Sequence, residues 1–201
     1  MIEVEIKVQI PNANDMRKLF EKEGGKYELS LLHEDTYFNA PDQLRDFKKS
    51  DEALRIRNST EYRRDEPEVK KTRHFLTYKG KKMDETTKTR QELELIVEDG
   101  ETMGEILKVL GFQKLFIVKK ERELYVFEHE GHEIEALIDY LPILKQHFIE
   151  VEVTTEKQEE LEDLSDLLFN FLERFSISRD QSIRKSYLEL IADKFKRKKR
   201  D

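Results

Sequence analysis

Apolar and polar residues alternate through the first ten positions, with Ile2, Val4, Ile6, Val8 and Ile10 set against Glu3, Glu5, Lys7 and Gln9. A period of two with β-branched residues at every other position predicts a strand with two unlike faces. Pro11 breaks the pattern. Asn12 or Asn14 then caps a helix reaching about Glu23, with Met16, Leu19 and Phe20 on one face, and Gly24 and Gly25 end it. Residues 26–40 read as extended and 43–52 as a polar loop. Alternation returns at Ala53–Arg57, where Leu54 and Ile56 oppose Arg55 and Arg57. Residues 58–73 are dense in charge and contain Pro67. They read as a hairpin or loop, either simply solvated or a lid. His74–Gly80 is a further strand, with Phe75, Thr77 and Lys79 on one face.

Thr89–Leu95 sets Arg90, Glu92 and Glu94 against Leu93 and Leu95. Glu101–Leu110 is a short helix ending at Gly111. Residues 112–129 form a strand with Lys120 and Arg122 at alternate positions, and Gly131 turns into a second strand at 132–141. There Ile134, Ala136 and Ile138 oppose Glu133, Glu135 and Asp139. Phe148–Val153 repeats the opening theme, with Glu150 and Glu152 on one face. Leu161, Leu164, Leu168, Phe171 and Phe175 are the apolar stripe of a helix over 156–175. A last helix starts at Asp180 or Ser182 and buries Ile183, Tyr187, Leu190 and Ile191. No repeat or break in composition divides the chain, so a single domain is expected over 1–193, with a basic tail at 194–201.

At 37% hydrophobic and 40% charged residues the 201-residue chain is polar, yet 12 Phe and 7 Tyr supply a core. A net charge of −7 argues against general nucleic-acid binding, although 37 basic residues leave room for local clusters. The absence of Cys excludes disulfides, zinc–thiolate sites and Cys nucleophiles. No apolar stretch is long enough to span a bilayer, and the opening residues read as a strand rather than a signal peptide. A cytoplasmic protein without membrane association is therefore expected.

The charged faces change the picture. Collected, they hold the bases Lys7, Arg55, Arg57, Lys79, Arg90, Lys120 and Arg122, and the acids Glu3, Glu5, Glu92, Glu94, Asp139, Glu150 and Glu152. Two arrangements accommodate them. One is a solvated sheet laced with cross-strand ion pairs. The other is a sheet curled so that its charged face lines a tunnel and its apolar face points out beneath helices. Successive carboxylates on one strand face stand about 7 Å apart, and buried charges need partners or ions. A divalent cation on the acids and a phosphate chain on the bases would satisfy both sets. None of the five His residues falls on the charged face in a repeated pattern, so a His base is not required.

Glu3-Val4-Glu5-Ile6-Lys7 matches the ExExK signature of the CYTH superfamily, the triphosphate tunnel metalloenzymes. Asp35–Phe38, Leu54–Arg57, Tyr78–Gly80, Arg90–Glu94, Lys120–Arg122, Asp139-Tyr140, Glu150–Glu152 and Ser186–Leu190 follow in the family's order. The chain thus resembles this family from residue 1 to about 192. Between Asp35 and Arg57 it most resembles the class IV adenylyl cyclase branch.

The resemblance implies an α+β fold, an eight-stranded antiparallel β-barrel or tunnel with a charged lumen flanked by helices. It implies that Lys7, Arg55, Arg57, Lys79, Lys120 and Arg122 hold a triphosphate, with Arg90 beside them and Lys185 over the mouth. It implies that Glu3, Glu5, Asp139, Glu150 and Glu152, joined by Glu92 and Glu94, bind Mg²⁺ or Mn²⁺ or position its waters. Lys7, Arg57 and Glu152 are the expected catalytic residues, while Asp35 and Tyr37 are expected to pack strands. The implied reaction is conversion of ATP to cyclic AMP and pyrophosphate. Alternatives are a triphosphatase acting on inorganic, thiamine or nucleoside triphosphates, and a non-catalytic polyphosphate- or nucleotide-binding module. A homodimer is also implied.

Overall fold

In the computed structural model, which describes residues 1–83 and 86–197, the alternating stretches become eight strands and the 3.6-period stretches four helices. The strands are β1 (Ile2–Ile10), β2 (Lys26–Asn39), β3 (Ala53–Tyr62), β4 (Lys71–Lys79), β5 (Arg90–Val97), β6 (Gln113–His129), β7 (His132–Leu141) and β8 (Gln146–Thr155). The helices are α1 (Ala13–Lys22), α2 (Gly100–Val109), α3 (Leu161–Glu173) and α4 (Tyr187–Arg197). Asn12 caps α1, its side chain accepting from Asn14 N at 2.8 Å. Among the described residues no helix is long and apolar enough to cross a membrane.

The strands close into an antiparallel barrel in the order β1-β5-β4-β3-β2-β6-β7-β8. β1 and β8 pair along their full length, from Ile2 opposite Thr155 to Ile10 opposite His147. The join between β1 and β5 is short, only Ile2 opposite Gln91 and Glu3 opposite Arg90. Further along, the edge of β1 is covered by single main-chain bonds. Lys88 N donates to Glu5 O at 2.9 Å, and Ile183 N to Lys7 O at 2.7 Å.

Closure puts the charges inside. The outward residues Val4, Ile6 and Val8 are buried with Phe20 of α1, Leu168 and Phe171 of α3, and Tyr125 and Phe127 of β6. Three of these rings, Phe20, Phe127 and Phe171, pack edge to face, Phe127 lying between the other two at centroid distances of 5.3 and 4.9 Å. Gly25 lets this cluster form, because a Cβ there would stand 2.4 Å from Phe127 Cζ. A second cluster seats α2 on β3 and β4 through Leu107, Phe38 and Ile56. A third joins Tyr187 and Ile191 of α4 to Val118, Leu141 and Phe148. One end of the lumen is therefore stopped by apolar side chains, which alternation of charge alone did not reveal.

Four expectations are corrected. The last helix begins at Tyr187 rather than at Asp180 or Ser182. A short 3-10 turn occupies Arg179–Gln181, and the next residues stay extended because Ile183 N is bonded to β1. α4 also runs past residue 194, where a separate tail was expected, and the tail from 198 onward lies outside the described residues. The outer apolar face is not wholly covered by helices, since Leu93 and Leu95 of β5 are more than half exposed. Finally, β3 and β4 take half of the charged insert, forming the hairpin read there, and 63–70 is its loop. That loop is pinned to the outer wall rather than poised as a lid. Arg64 donates to Glu123 at 2.7 Å and to the Tyr125 hydroxyl at 2.6 Å, and its guanidinium lies 4.1 Å over the Tyr27 ring.

Arg64→Ala should release this loop while leaving the barrel intact. A Glu-specific protease is expected to cut at Glu68 several-fold faster in the variant, and equal cleavage rates would contradict the pinning role.

Candidate functional site

Each charged side chain reaches the lumen because its strand alternates, and the register decides which charges meet. Asp35 of β2 stands opposite Arg57 of β3. It accepts from Arg57 Nε at 2.7 Å and Nη2 at 2.8 Å, and pairs with Arg55 at 3.3 Å. Arg122 of β6 stands opposite Asp139 of β7 and donates to both of its oxygens at 2.6 Å. Arg122 also pairs with Glu150 of β8, which lies 3.2 Å from Lys7 and 3.1 Å from Lys88. Lys79 spans Glu92 at 2.5 Å and Glu3 at 3.1 Å. All of these groups except the fully buried Lys7 and Asp139 line a cavity of about 400 Å³, together with Phe47, Asp51, Lys82, Ser186 and Tyr187 among others.

The network sets the charge states. Burial opposes ionisation of Asp35, but Arg57 and Arg55 outweigh it and hold the carboxyl well below its usual range. Glu150 is likewise held well below, because Lys88, Lys7 and Arg122 outweigh its burial. The ammonium groups feel the opposite balance. Burial, then the nearby Lys88, lowers Lys7 to about 7, and burial, then Arg122, lowers Lys120 to about 8. Lys120 lines the cavity, where a bound anion is favoured over a bare cluster of positive charge.

Opposite these bases lies a knot of acids. Glu3, Glu5 and Glu152 each offer an oxygen, and the three atoms lie within 4.8 Å of one another. Burial, then Glu3, pushes the Glu152 carboxyl well above its usual range, and burial, then Glu150, raises Glu5. Glu135 of β7, opposite Glu152 in register, is also raised, first by burial. Carboxylates held this close resist ionising together unless a cation joins them. Three convergent oxygen donors in a closed site suit a hard divalent cation, so the residues present fit Mg²⁺ or Mn²⁺.

The barrel sorts the expected site residues. Lys7, Arg55, Arg57, Lys79, Lys120 and Arg122 form the basic cradle, and Glu3, Glu5 and Glu152 converge, each with an oxygen within 4.8 Å of the others. Arg90 lines the same cavity, its guanidinium donating to Gly80 O at 3.3 Å. The other four expected metal ligands lie outside that trio and are bonded to other lumen groups. Asp139 is taken by Arg122, by Lys120 at 3.5 Å and by the Tyr187 hydroxyl at 2.7 Å. Glu150 is taken by Lys7, Lys88 and Arg122. Glu92 pairs with Lys79 and, at 3.7 Å, with Arg55, and Glu94 accepts from Thr77 at 2.7 Å. Lys185 does not reach over the mouth. Its ammonium pairs with Asp193 at 2.7 Å on the exposed side of α4, and only its carbonyl meets the cradle, accepting from Lys7 Nζ at 3.1 Å.

Four lumen residues were missed or misplaced. Asp35 is a counter-ion of the cradle rather than a packing residue, and its alternation with Tyr37 and His33 carried that signal. His33 does lie on the charged face. It bonds Ser59 at 3.1 Å, and burial, then Arg57, Lys120 and Arg122, depresses it well below its usual range, so a neutral imidazole sits beside the bases. Glu135 shares parity with Asp139 on β7 and was set on that face by alternation without being counted among the site residues, whereas Lys88 precedes β5, where no run of alternation reaches.

Comparison with known proteins gives one consistent result. Residues 1–187 match the family model for the CYTH domain. A Methanocaldococcus jannaschii protein, named as a candidate adenylate cyclase, is 40% identical over 190 residues, 94% of this chain and 98% of that one. The solved structure of the Pyrococcus horikoshii protein PH1819 is 34% identical with a TM-score of 0.81, over 96% of this chain and 99% of that one. A Hippeastrum candidate adenylyl cyclase with a dominant triphosphatase activity has a TM-score of 0.62 over 95% of each chain. At 17% identity that likeness shows the fold alone.

The acid knot makes a prediction about the metal. In wild-type protein Mn²⁺ should raise the melting temperature by binding the folded state. Glu152→Gln should melt higher than wild type in chelator, because one repelling carboxylate is gone, and should lose most of the Mn²⁺-dependent rise. A wild-type-sized rise in the variant would contradict the assignment of Glu152 to the cation site.

Proposed function

The chain belongs to the CYTH domain family, and on that premise we propose that it is an Mg²⁺- or Mn²⁺-dependent enzyme acting on a triphosphate, first of all ATP, in the manner of an adenylyl cyclase. The carrying observation is the opposition, inside one closed barrel, of the Glu3, Glu5 and Glu152 knot to the cradle of buried Arg and Lys. A binder of anions alone would gain nothing from three converging carboxylates.

In this reading Lys7, Arg55, Arg57, Lys120 and Arg122 grip phosphate oxygens, with Lys79 and Arg90 nearer the mouth. The guanidinium of Arg57 is pre-aligned by Asp35, and that of Arg122 by Asp139, so little ordering remains when the anion arrives. A divalent cation on Glu3, Glu5 and Glu152 would supply Lewis acidity at a phosphate oxygen. Charge neutralisation and in-line placement are what such displacements require, with no covalent nucleophile from the protein. The ribose 3′-oxygen forms a bond to the α-phosphorus as the bond from that phosphorus to the bridging oxygen breaks. Pyrophosphate leaves with that electron pair, and the hydroxyl proton passes to solvent or a carboxylate. Lys7, Arg57 and Glu152 stand closest to this chemistry. Phe47, Leu115 and Leu188 give the outer part of the cavity an apolar seat for a base, which favours a nucleotide over inorganic triphosphate. The rival reading is a triphosphatase, in which water attacks the terminal phosphorus. In that reading the nearly buried Lys120 and Arg122 would hold the terminal phosphate.

A homodimer through β5 is also part of the reading. By alternation from the bond of Glu92 N to Met1 O, the main-chain groups of Glu94 and Ile96 point away from β4. A second copy docked antiparallel about Leu95 would satisfy them and cover Leu93 and Leu95, which are 54% and 55% exposed.

Two measurements test these readings. ATP, thiamine triphosphate and inorganic triphosphate are each incubated with Mn²⁺ and the products resolved by chromatography. Cyclic AMP and pyrophosphate are expected from ATP. Orthophosphate as the sole product would assign a triphosphatase instead, and no turnover of any substrate would overturn the enzyme reading. In sedimentation, wild type should run at twice the 24.2 kDa chain mass and Leu95→Lys at the chain mass. A monomeric wild type would refute the β5 contact.

A further inference from the structure

Tyr187, the first residue of α4, is buried and touches three members of the cradle at once. Its hydroxyl donates to Asp139 Oδ2 at 2.7 Å. The Lys7 ammonium lies 3.7 Å from its ring centroid and the Lys120 ammonium 5.2 Å. These lysines come from β1 and β6, strands that do not adjoin in the barrel, and Asp139 comes from β7. The ring is held in turn by Phe148 at 5.3 Å and by the apolar cluster that seats α4.

α4 has no reason of packing alone to present a phenol here. The end of the lumen is otherwise closed by Val118, Leu141, Phe148 and Ile191, and a Leu would continue that surface. What the ring adds is a π face toward two ammonium groups shielded from water, a contact that gains strength with desolvation. Lys7 is fully buried, and its ammonium is met by the Glu150 carboxylate at 3.2 Å, the Lys185 carbonyl at 3.1 Å and the Tyr187 face. Two of these three contacts come from the C-terminal segment. That segment is itself tied down, by Ile183 N on Lys7 O, by Lys194 on Ile143 O at 2.7 Å and by Glu189 on Lys82 at 3.7 Å.

We propose that Tyr187 is a positioning residue for the triphosphate, its ring fixing Lys7 and Lys120 side by side. The inference rests on reading the cavity as a triphosphate site. A flexible lysine loses rotamer freedom when it grips an anion, and an ammonium already parked on a ring has less to lose. The effect belongs to binding and is the same in the ground and transition states.

The test compares Tyr187→Phe and Tyr187→Leu with wild type. Binding of inorganic tripolyphosphate is measured by calorimetry in chelator, and KM and kcat with ATP and Mn²⁺ by product formation. Tyr187→Leu is expected to raise both the tripolyphosphate Kd and the ATP KM about tenfold, with kcat within about threefold, the signature of lost uniform binding. Tyr187→Phe keeps the ring and should stay within about threefold of wild type in all three. Should Tyr187→Leu fail to fold, Tyr187→Met refills the space without a π face and serves the same comparison. An unchanged Kd in the ring-less variant, or an equal loss in Tyr187→Phe, would overturn the positioning role. Failure of wild type to bind tripolyphosphate at all would instead overturn the assignment of the cavity.

Discussion

Burying charge is tolerable only when every charge has a partner, and this barrel is built to that constraint. Some fifteen ionised side chains would be an impossible core if scattered. Strand register turns them into matched sets, with Asp35 against Arg57, Asp139 against Arg122 and Glu150 between Lys7 and Lys88. Removing one partner from such a set leaves the other stranded, a far larger penalty than the pair's net worth. The hydrophobic effect therefore acts on the outside of the barrel, where α1, α2 and α3 cover the apolar faces, and the inside is left for recognition.

The matching is incomplete in one place, and the incompleteness has chemical value. Glu3, Glu5, Glu135 and Glu152 crowd together with too few bases among them, and Glu152 and Glu5 resist ionising as a result. The surplus of acid at the knot and the surplus of base around Lys120 and Arg122 lie within one cavity. A cation and a polyanion entering together would cancel both, so the empty protein holds unfavourable electrostatics that its ligands relieve.

Much of this was legible in the chain. Alternation placed all eight strands and gave the inward parity of every cradle base on them, because period two is imposed by backbone geometry and survives any packing. It stopped at the ends of strands. Lys88 precedes β5 as a loop residue, so no run of alternation flagged it. The exposed fate of Lys185 depends on the main-chain bond from Ile183 to β1, a contact between the two ends of the chain that no local pattern encodes. The division of labour among acids was equally hidden. Asp139 and Glu150 look like Glu5 and Glu152 in sequence, and only the closed barrel shows that Arg122 of β6 binds the first two while the oxygens of Glu3, Glu5 and Glu152 converge.

The short seam between β1 and β5 has a consequence for the order of synthesis. The first strand made can be completed only by β8, some 150 positions later, and its remaining edge waits for Lys88 and then Ile183. Until nearly the whole chain has left the ribosome, β1 has no β8 to pair with and no helix α3 for its outward face. Contacts this distant in sequence make folding slow. The nascent barrel is thus an open, highly charged sheet for most of its synthesis, and ligand binding becomes possible only when the last segment docks.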